Sequence, residues 1–101
     1  MSNLTVIAFD VDGCLLDPAG KAVANENIRT LLVVLSSFPN VHIRVWSGSG
    51  ELYARQVTGV LGIATYVDSY SSKPATDGLV PHITIDDQDI TLGTVNLVTG
   101  T

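Results

Sequence analysis

The sequence predicts an α/β fold in which a parallel sheet is flanked by helices, and three observations support this. Short apolar runs typical of buried strands alternate with segments that carry apolar residues at helical spacing. Polar residues and glycines follow these short runs. With 101 residues and 46% hydrophobic composition, the chain can bury one modest core, so we expect a single domain over residues 1–101.

The first strand and helix are indicated by a change of hydrophobic period. Residues 6–9 form a continuous apolar run, as expected of a strand buried on both faces, and this run ends at Asp10. An apolar stripe at helical spacing follows, composed of Ile28, Leu31, Leu32 and Leu35. Asn25 is suited to cap this helix, and Pro39 predicts that it has ended.

A second strand and helix repeat the pattern. Val41, Ile43 and Val45 alternate with His42, Arg44 and Trp46, which predicts a strand that runs into the sequence SGSG at residues 47–50. The next helical stripe contains Tyr53, Val57, Val60 and Leu61. Gly62 predicts the C-terminal end of this helix.

Three further strands are predicted in the rest of the chain. We expect them at residues 65–68, after which the sequence is rich in turn formers, at residues 82–85, and at residues 96–98. Because strands and helices alternate along the chain, we expect these strands to form one parallel sheet with right-handed crossovers. Ligands of such sheets bind beyond the carboxyl ends of the strands, where the polar residues of this sequence are concentrated.

Composition excludes several classes of partner. The formal charge of -5 disfavours nonspecific binding to nucleic acid or to an anionic membrane. No stretch approaches the roughly 18 apolar residues that a membrane helix requires. A lone cysteine, Cys14, cannot form an internal disulfide, so we expect a reducing, cytoplasmic environment.

The residues at the predicted strand ends are suited to metal and phosphate chemistry. They are Asp10 and Asp12 after the first strand, Ser47 and Gly48 after the second, Lys73 before the fourth, and Asp86, Asp87 and Asp89 after it. Mg²⁺ typically binds one or two carboxylates together with substrate phosphate, and Asp10 and Asp86 meet this requirement. If the strand continues in extended form, Asp10 and Asp12 point to the same side.

These side chains could divide the steps of phosphoryl transfer among them. Asp10 could attack phosphorus, as aspartates that form phosphoenzymes do, and Asp12 could carry protons. Ser47 and the amides of the following loop, including Gly48, could hydrogen-bond phosphoryl oxygens. Lys73 would neutralise remaining negative charge.

Four motifs of the chain resemble, in order, those of the haloacid dehalogenase superfamily. They are DVDGCL at residues 10–15, Ser47 at the end of an apolar strand, KP at residues 73–74, and IDDQD at residues 85–89. The resemblance implies a Rossmann-like domain in which Asp10 is the nucleophile, Asp12 the acid/base, and Ser47 and Lys73 the phosphate-binding residues. Magnesium would be held by Asp10, Asp86 and the main-chain carbonyl of Asp12, with Asp87 or Asp89 as a supporting acid.

The phosphatase branch of this superfamily is favoured, because the dehalogenase branch is not expected to carry the second aspartate, Asp12. Neither of the usual insertion points is long enough for a cap domain, so the chain resembles a capless member acting on a phosphorylated small molecule. The short spacing from Lys73 to Asp86 leaves Lys21 as a second candidate for the phosphate-binding cation. A sheet face without its usual helix would expose apolar surface and favour a homo-oligomer.

Two other functions remain open from the sequence. A catalytically silent family member could serve as a binding module, although the intact Asp10 and Asp12 argue against this. A phosphoryl-accepting receiver domain also uses aspartates, a hydroxyl and a lysine on a parallel sheet. The order of the motifs argues against a receiver, because in this chain an acidic cluster follows the lysine.

Overall fold

The computed structural model describes residues 4–17 and 23–99, which form two α-helices and five strands. In chain order the elements are β1 (Thr5–Asp10), α1 (Glu26–Ser36), β2 (Val41–Ser47), α2 (Glu51–Val60), β3 (Ser69–Ser72), β4 (Ile83–Asp86) and β5 (Val95–Val98). All strand pairings in this sheet are parallel, and the strand order is β3-β2-β1-β4-β5. Because this is the order of the first five strands of a Rossmann sheet, the predicted Rossmann-like α/β fold is confirmed.

The two strand–helix units form where the hydrophobic pattern predicted them. Asn25 caps α1, since its side-chain Oδ1 accepts a hydrogen bond from the Ile28 amide at 3.4 Å. Gly62 follows the end of α2 with a φ of 73°, a left-handed conformation that glycine adopts without a Cβ clash. Local capping chemistry therefore agrees with the hydrophobic pattern at both helices.

The main hydrophobic core lies between the two helices and one face of the sheet. Leu32 from α1 and Ala54 from α2 belong to the same buried cluster as Phe9 of β1 and Val45 of β2. Right-handed crossovers from β1 to β2 and from β2 to β3 place both helices on this face. The two helices therefore cover this face of the sheet.

The third strand begins at Ser69, so the prediction of a strand at residues 65–68 was wrong. Ala64–Tyr66 instead forms a short 3₁₀ helix. Asp68 precedes the strand, and its Oδ2 accepts a hydrogen bond from the Ile43 amide at 2.8 Å. The sequence of β3, SYSS, contains no aliphatic residue; this edge strand is held by backbone pairing with β2 and by the packing of Tyr70 against the core. An apolar pattern could not have indicated it.

The connection from β3 to β4 covers the opposite face of the sheet and contains no helix among the residues described. It is fixed by Arg44 of β2, a buried residue whose guanidinium donates hydrogen bonds to both carboxylate oxygens of Asp77, with Nη1 to Oδ1 at 3.0 Å. The hydrogen bonds from Arg44 hold the pKa of Asp77 at about 2. This pair therefore anchors the connection, which begins at Lys73, to β2.

We expect Asp77→Asn to destabilise the protein more than Glu51→Gln, although each variant removes one carboxylate from an arginine pair. Asp77 is the partner of a buried guanidinium, whereas Glu51 pairs with the exposed Arg55 on α2. Asp77→Asn should lower the unfolding temperature by about 5 to 10 °C, because a buried cation that loses its partner is penalised strongly. Glu51→Gln should change it little. Equal effects in thermal unfolding would contradict this account of Arg44.

The strand β5 forms one edge of the sheet and carries half-exposed apolar side chains, Val95, Leu97 and Val98. Self-association through exposed apolar surface stays a prediction. Among the residues described, no helix is long and apolar enough to cross a membrane.

Candidate functional site

The candidate site lies at the carboxyl ends of the central strands. β1 pairs with β2 on one side and with β4 on the other, so Asp10, Ser47 and Asp86, the last residues of these three strands, come to the same edge. Between β1 and β4 the strand order reverses, and ligands of parallel α/β sheets bind at this type of position. The fold therefore brings three of the sequence-predicted residues together.

Three carboxylates form a compact acidic cluster at this edge. Asp10, Asp86 and Asp87 each offer an oxygen, and these oxygens lie within 4.8 Å of one another. Asp10 and Asp86 are only 4% and 1% exposed, respectively. Asp89 is exposed and is not part of this cluster. Of the two supporting acids that the sequence offered, the structure places Asp87 beside the other carboxylates.

Lys73 supplies a positive charge between the two buried carboxylates. Its Nζ donates hydrogen bonds to Asp10 Oδ1 at 2.9 Å and to Asp86 Oδ2 at 2.8 Å. Its main-chain amide donates to the carbonyl of Ser47 at 3.0 Å, which holds the lysine against the end of β2. The alternative cation, Lys21, lies outside the described residues. Lys73 thus contacts two of the motif aspartates directly.

Burial and the neighbouring charges change the proton affinities of these side chains. Burial raises the pKa of Asp10 to about 6, although the hydrogen bond from Lys73 opposes the rise. Burial and a hydrogen bond with Asp86 also raise the pKa of Asp87. Burial alone would lower the pKa of Lys73, but its bonds to Asp86 and Asp10 raise it above the ordinary value. Three carboxylates thus share the positive charge of one lysine.

Asp12 lies outside the strand, because the extended backbone ends at Asp10, yet both side chains line a single cleft, as the sequence predicted. β1 ends at Asp10, and residues Val11–Leu15 form a helical turn interrupted at Asp12 and Gly13. The carboxylate of Asp12 is exposed, and its Oδ1 accepts a hydrogen bond from the Tyr53 hydroxyl at 2.6 Å. This turn separates the environments of the two motif aspartates, one buried and one in contact with solvent.

Gly13 allows the turn and the acidic cluster to pack together. Its φ of 79° is a conformation that other residues rarely adopt. A Cβ at this position would lie 2.7 Å from Cγ of Asp87, which is closer than two such carbons can approach. The glycine of the first motif is therefore required both by its backbone and by the carboxylate against it.

Gly13→Ala should destabilise the protein more than Gly78→Ala. Gly78 has nearly the same φ, 80°, but nothing lies within 4 Å of its added Cβ. The backbone cost, about 1 to 2 kcal/mol, applies to both variants. Overpacking against Asp87 should add about 1 to 3 kcal/mol for Gly13→Ala alone. Urea unfolding of the two variants measures the difference, and equal losses of stability would show that Asp87 does not rest on Gly13.

Ser47 and the residues after it form the opposite wall of the site. Ser47 is buried, and its Oγ accepts a hydrogen bond from the Ser49 amide at 3.0 Å. Gly48 and Ser49 are exposed and lead into α2. The serine hydroxyl is thus fixed, and its proton can be donated to an anionic oxygen.

A cleft of about 240 Å³ joins these walls. Its lining residues are Asp10, Asp12, Ser47, Gly48, Ser49, Lys73, Asp87 and Gln88. Six of these were predicted from the sequence as site residues, whereas Asp86 lies beneath the cleft surface and Asp89 does not line it. Ser49 and Gln88 were missed, although each lies inside a motif that was recognised.

Tyr53 was also missed, because its place in a helical apolar stripe indicated only core packing. Its position in the first turn of the helix that follows Ser47 was the signal that could have drawn attention to it.

Comparisons of the chain with protein-family models, with curated proteins and with solved structures returned no match. The resemblance to the haloacid dehalogenase superfamily therefore depends on the four motifs alone.

Proposed function

We propose that the protein is a magnesium-dependent phosphomonoester hydrolase of the haloacid dehalogenase type that acts through an aspartyl phosphate on Asp10. The observation that carries this proposal is the cleft itself. Asp10, Asp12, Ser47 and Lys73, which are distant in the chain, line one cavity at the strand-order reversal. A nucleophile, an acid, a hydroxyl donor and a cation are the groups that phosphoryl transfer requires.

The reaction has two displacements at phosphorus. In the first, a carboxylate oxygen of Asp10 attacks, the bond from phosphorus to the leaving oxygen breaks, and Asp12 gives that oxygen a proton. In the second, Asp12 takes a proton from water, whose oxygen attacks phosphorus and releases inorganic phosphate from Asp10. Ser47 and Lys73 hold the nonbridging oxygens in both steps. The exposed position of Asp12 suits proton exchange with an alcohol and then with water.

The acidic cluster fits a bound Mg²⁺. Asp10, Asp86 and Asp87 supply hard oxygen ligands close together, which is the donor set that Mg²⁺ prefers in proteins. Asp10 and Asp86 would hold the ion, together with the carbonyl of Asp12. When bound, magnesium supplies positive charge to the transferring phosphoryl group.

The nearby thiol is unsuited to serve as the nucleophile instead of Asp10. Cys14 is fully buried, and its Sγ donates to the carbonyl of Ile85 at 3.3 Å. Burial, together with the charges of Asp10 and Asp86, raises the pKa of Cys14 to about 12. A thiol at this pKa is protonated at neutral pH and unreactive.

The size of the cleft supports a proposal about the substrate class. Its volume of about 240 Å³ is below the range of about 300 to 1,000 Å³ that is usual for small-molecule sites. It can enclose a phosphoryl group and leave the rest of the substrate outside. In the described part of the connection from β1 to α1, Leu16 and Ala24 form an isolated antiparallel bridge. This part adds no cap over the cleft. We therefore propose phosphorylated small molecules with bulky leaving groups as substrates.

A receiver domain is the weaker alternative, and the sheet supports this ranking. Receivers of the chemotaxis type have the strand order 2-1-3-4-5, in which β1 and β3 are neighbours. In this protein β1 lies between β2 and β4.

The proposal is tested by incubating the protein with p-nitrophenyl phosphate and Mg²⁺ and measuring release of p-nitrophenol. Hydrolysis that is lost with EDTA and in Asp10→Asn would support the enzyme. Inactivity across a broad panel of phosphorylated metabolites would favour the binding module. Stable labelling of Asp10 by acetyl phosphate, with slow turnover, would favour the receiver.

A further inference from the structure

The hydroxyl of Tyr53 makes a short hydrogen bond with the carboxylate of Asp12. The two oxygens are 2.6 Å apart, within the range of about 2.5 to 2.7 Å that is typical of a hydroxyl donating to a charged carboxylate. Such bonds are roughly twice as strong as those between neutral groups. Within residues 4–17 and 23–99, Tyr53 is the only hydrogen-bond partner that the structure shows for the Asp12 side chain.

Tyr53 is itself held firmly. It lies in the first turn of α2, and its ring is half-buried and packs against the hydrophobic core. Because α2 begins shortly after Ser47, the phenol is fixed relative to the phosphate-binding wall of the cleft. Asp12, in contrast, lies exposed in a turn, where an aspartate without a partner would occupy several rotamers.

We propose that Tyr53 is a positioning residue that holds the Asp12 carboxylate in the orientation from which it protonates the leaving oxygen. The hydroxyl binds Oδ1 and leaves Oδ2 to carry the proton. This inference rests on the proposed phosphatase function. It connects the helix after the second motif to the acid of the first, a link that neither motif contains.

The test compares two substrates in Tyr53→Phe. An alkyl phosphate needs protonation of its leaving oxygen, whereas p-nitrophenyl phosphate has a leaving group that departs as an anion. The ratio kcat/KM reports only the steps through release of the first product, so water attack does not affect it. We expect kcat/KM for the alkyl phosphate to fall about tenfold, a part of the roughly 10² to 10⁴ that a positioned acid contributes. The value for p-nitrophenyl phosphate should change less than twofold.

Tyr70→Phe is the matched control, because it also removes a phenol hydroxyl with a hydrogen bond, to Thr58 at 2.7 Å, but outside the cleft. Its ratio of alkyl to aryl kcat/KM should equal that of the native protein. Binding of inorganic phosphate, measured by calorimetry, should be unchanged in Tyr53→Phe because Ser47 and Lys73 are intact. In an Asp12→Asn background, Tyr53→Phe should have no further effect on the ratio.

Different outcomes overturn different claims. If kcat/KM of Tyr53→Phe fell equally for both substrates, or fell for neither, the positioning role would be overturned while the phosphatase assignment stands. A loss of phosphate binding would mean that Tyr53 supports the whole site. Absence of p-nitrophenyl phosphate hydrolysis by the native protein would overturn the proposed function, and the positioning role with it.

Discussion

Replacing Asp10 with asparagine should abolish hydrolysis of p-nitrophenyl phosphate and, without metal, stabilise the protein at neutral pH. The amide cannot attack phosphorus, so kcat should fall by at least about 10⁴-fold and no acid-stable phosphoenzyme should form. The expected gain in stability is about 1 to 3 kcal/mol, because burial disfavours the charged carboxylate of Asp10 and Lys73 keeps its ion pair with Asp86. Activity and stability would thus change in opposite directions.

The pH dependence of stability distinguishes a buried carboxylate that destabilises the fold from one that stabilises it as an ion pair. Burial raises the pKa of Asp10 from 3.8 to about 6, so between these values the folded state binds the proton more tightly than the unfolded state. The free energy of unfolding is then greatest below pH 4 and declines as the pH rises through 6. Asp10→Asn should lose most of this decline, whereas the raised pKa of Asp87 should preserve a smaller part in both proteins.

Urea unfolding in EDTA between pH 4 and 8 measures these curves. Asp68→Asn is a suitable control, because it removes the same charge at the other end of the sheet, before β3 begins. Addition of Mg²⁺ should stabilise the native protein increasingly above pH 6, where protons no longer compete, and Asp10→Asn much less. If Asp10→Asn were destabilised at neutral pH to the same extent as at pH 4, the carboxylate would be a structural ion pair.

The parts of the fold that could be predicted from the sequence are those in which burial leaves a pattern. Residues 6–9 are apolar because β1 is buried on both faces, and the stripe of α1 repeats because one side of that helix meets the core. β3 has no such pattern, since its serines pair by backbone at an edge and lie beside Arg44. The Arg44–Asp77 pair could not be predicted either, because a charged residue in a central strand does not indicate which residue it pairs with.

For the site, too, the sequence indicated which residues come together but not which contacts they make. Motif order indicated which strand ends carry Asp10, Ser47 and Asp86, because topology alone brings those ends together. Whether Asp87 or Asp89 joins the cluster depends on the conformation of the loop after β4, and no sequence periodicity predicts that conformation. The contact of Tyr53 with Asp12 likewise depends on a turn that leaves extended backbone immediately after Asp10.

Replacing Lys73 with methionine should both destabilise the metal-free protein and weaken phosphate binding. Its ammonium contacts Asp10 and Asp86, which are almost completely buried, and removal would leave both carboxylates without this cation. Loss of one partner from a buried ion pair typically costs about 3 to 5 kcal/mol, a large part of the roughly 5 to 15 kcal/mol by which small proteins are stable. We expect a loss of this size at pH 7.5 in EDTA.

Two conditions should restore stability to Lys73→Met by reducing the uncompensated negative charge of Asp10 and Asp86. Lowering the pH from 8 to 5 protonates Asp10, whose pKa is already raised to about 6 and should rise further without the lysine. Addition of Mg²⁺ supplies a cation to the same carboxylates. The stability gap between the native and variant proteins should narrow in both cases, but binding of inorganic phosphate should remain at least about tenfold weaker.

Two further variants show whether these effects belong to Lys73. Arg55→Met removes an exposed cation that pairs with Glu51 on α2, and should alter stability by less than about 1 kcal/mol. Lys21→Met tests the other lysine that the sequence offered. Loss of phosphate binding in Lys21→Met, with full binding in Lys73→Met, would move the phosphate-binding role away from Lys73. A stability gap for Lys73→Met that persisted at pH 5 and with Mg²⁺ would mean that the lysine stabilises the fold by packing rather than by its charge.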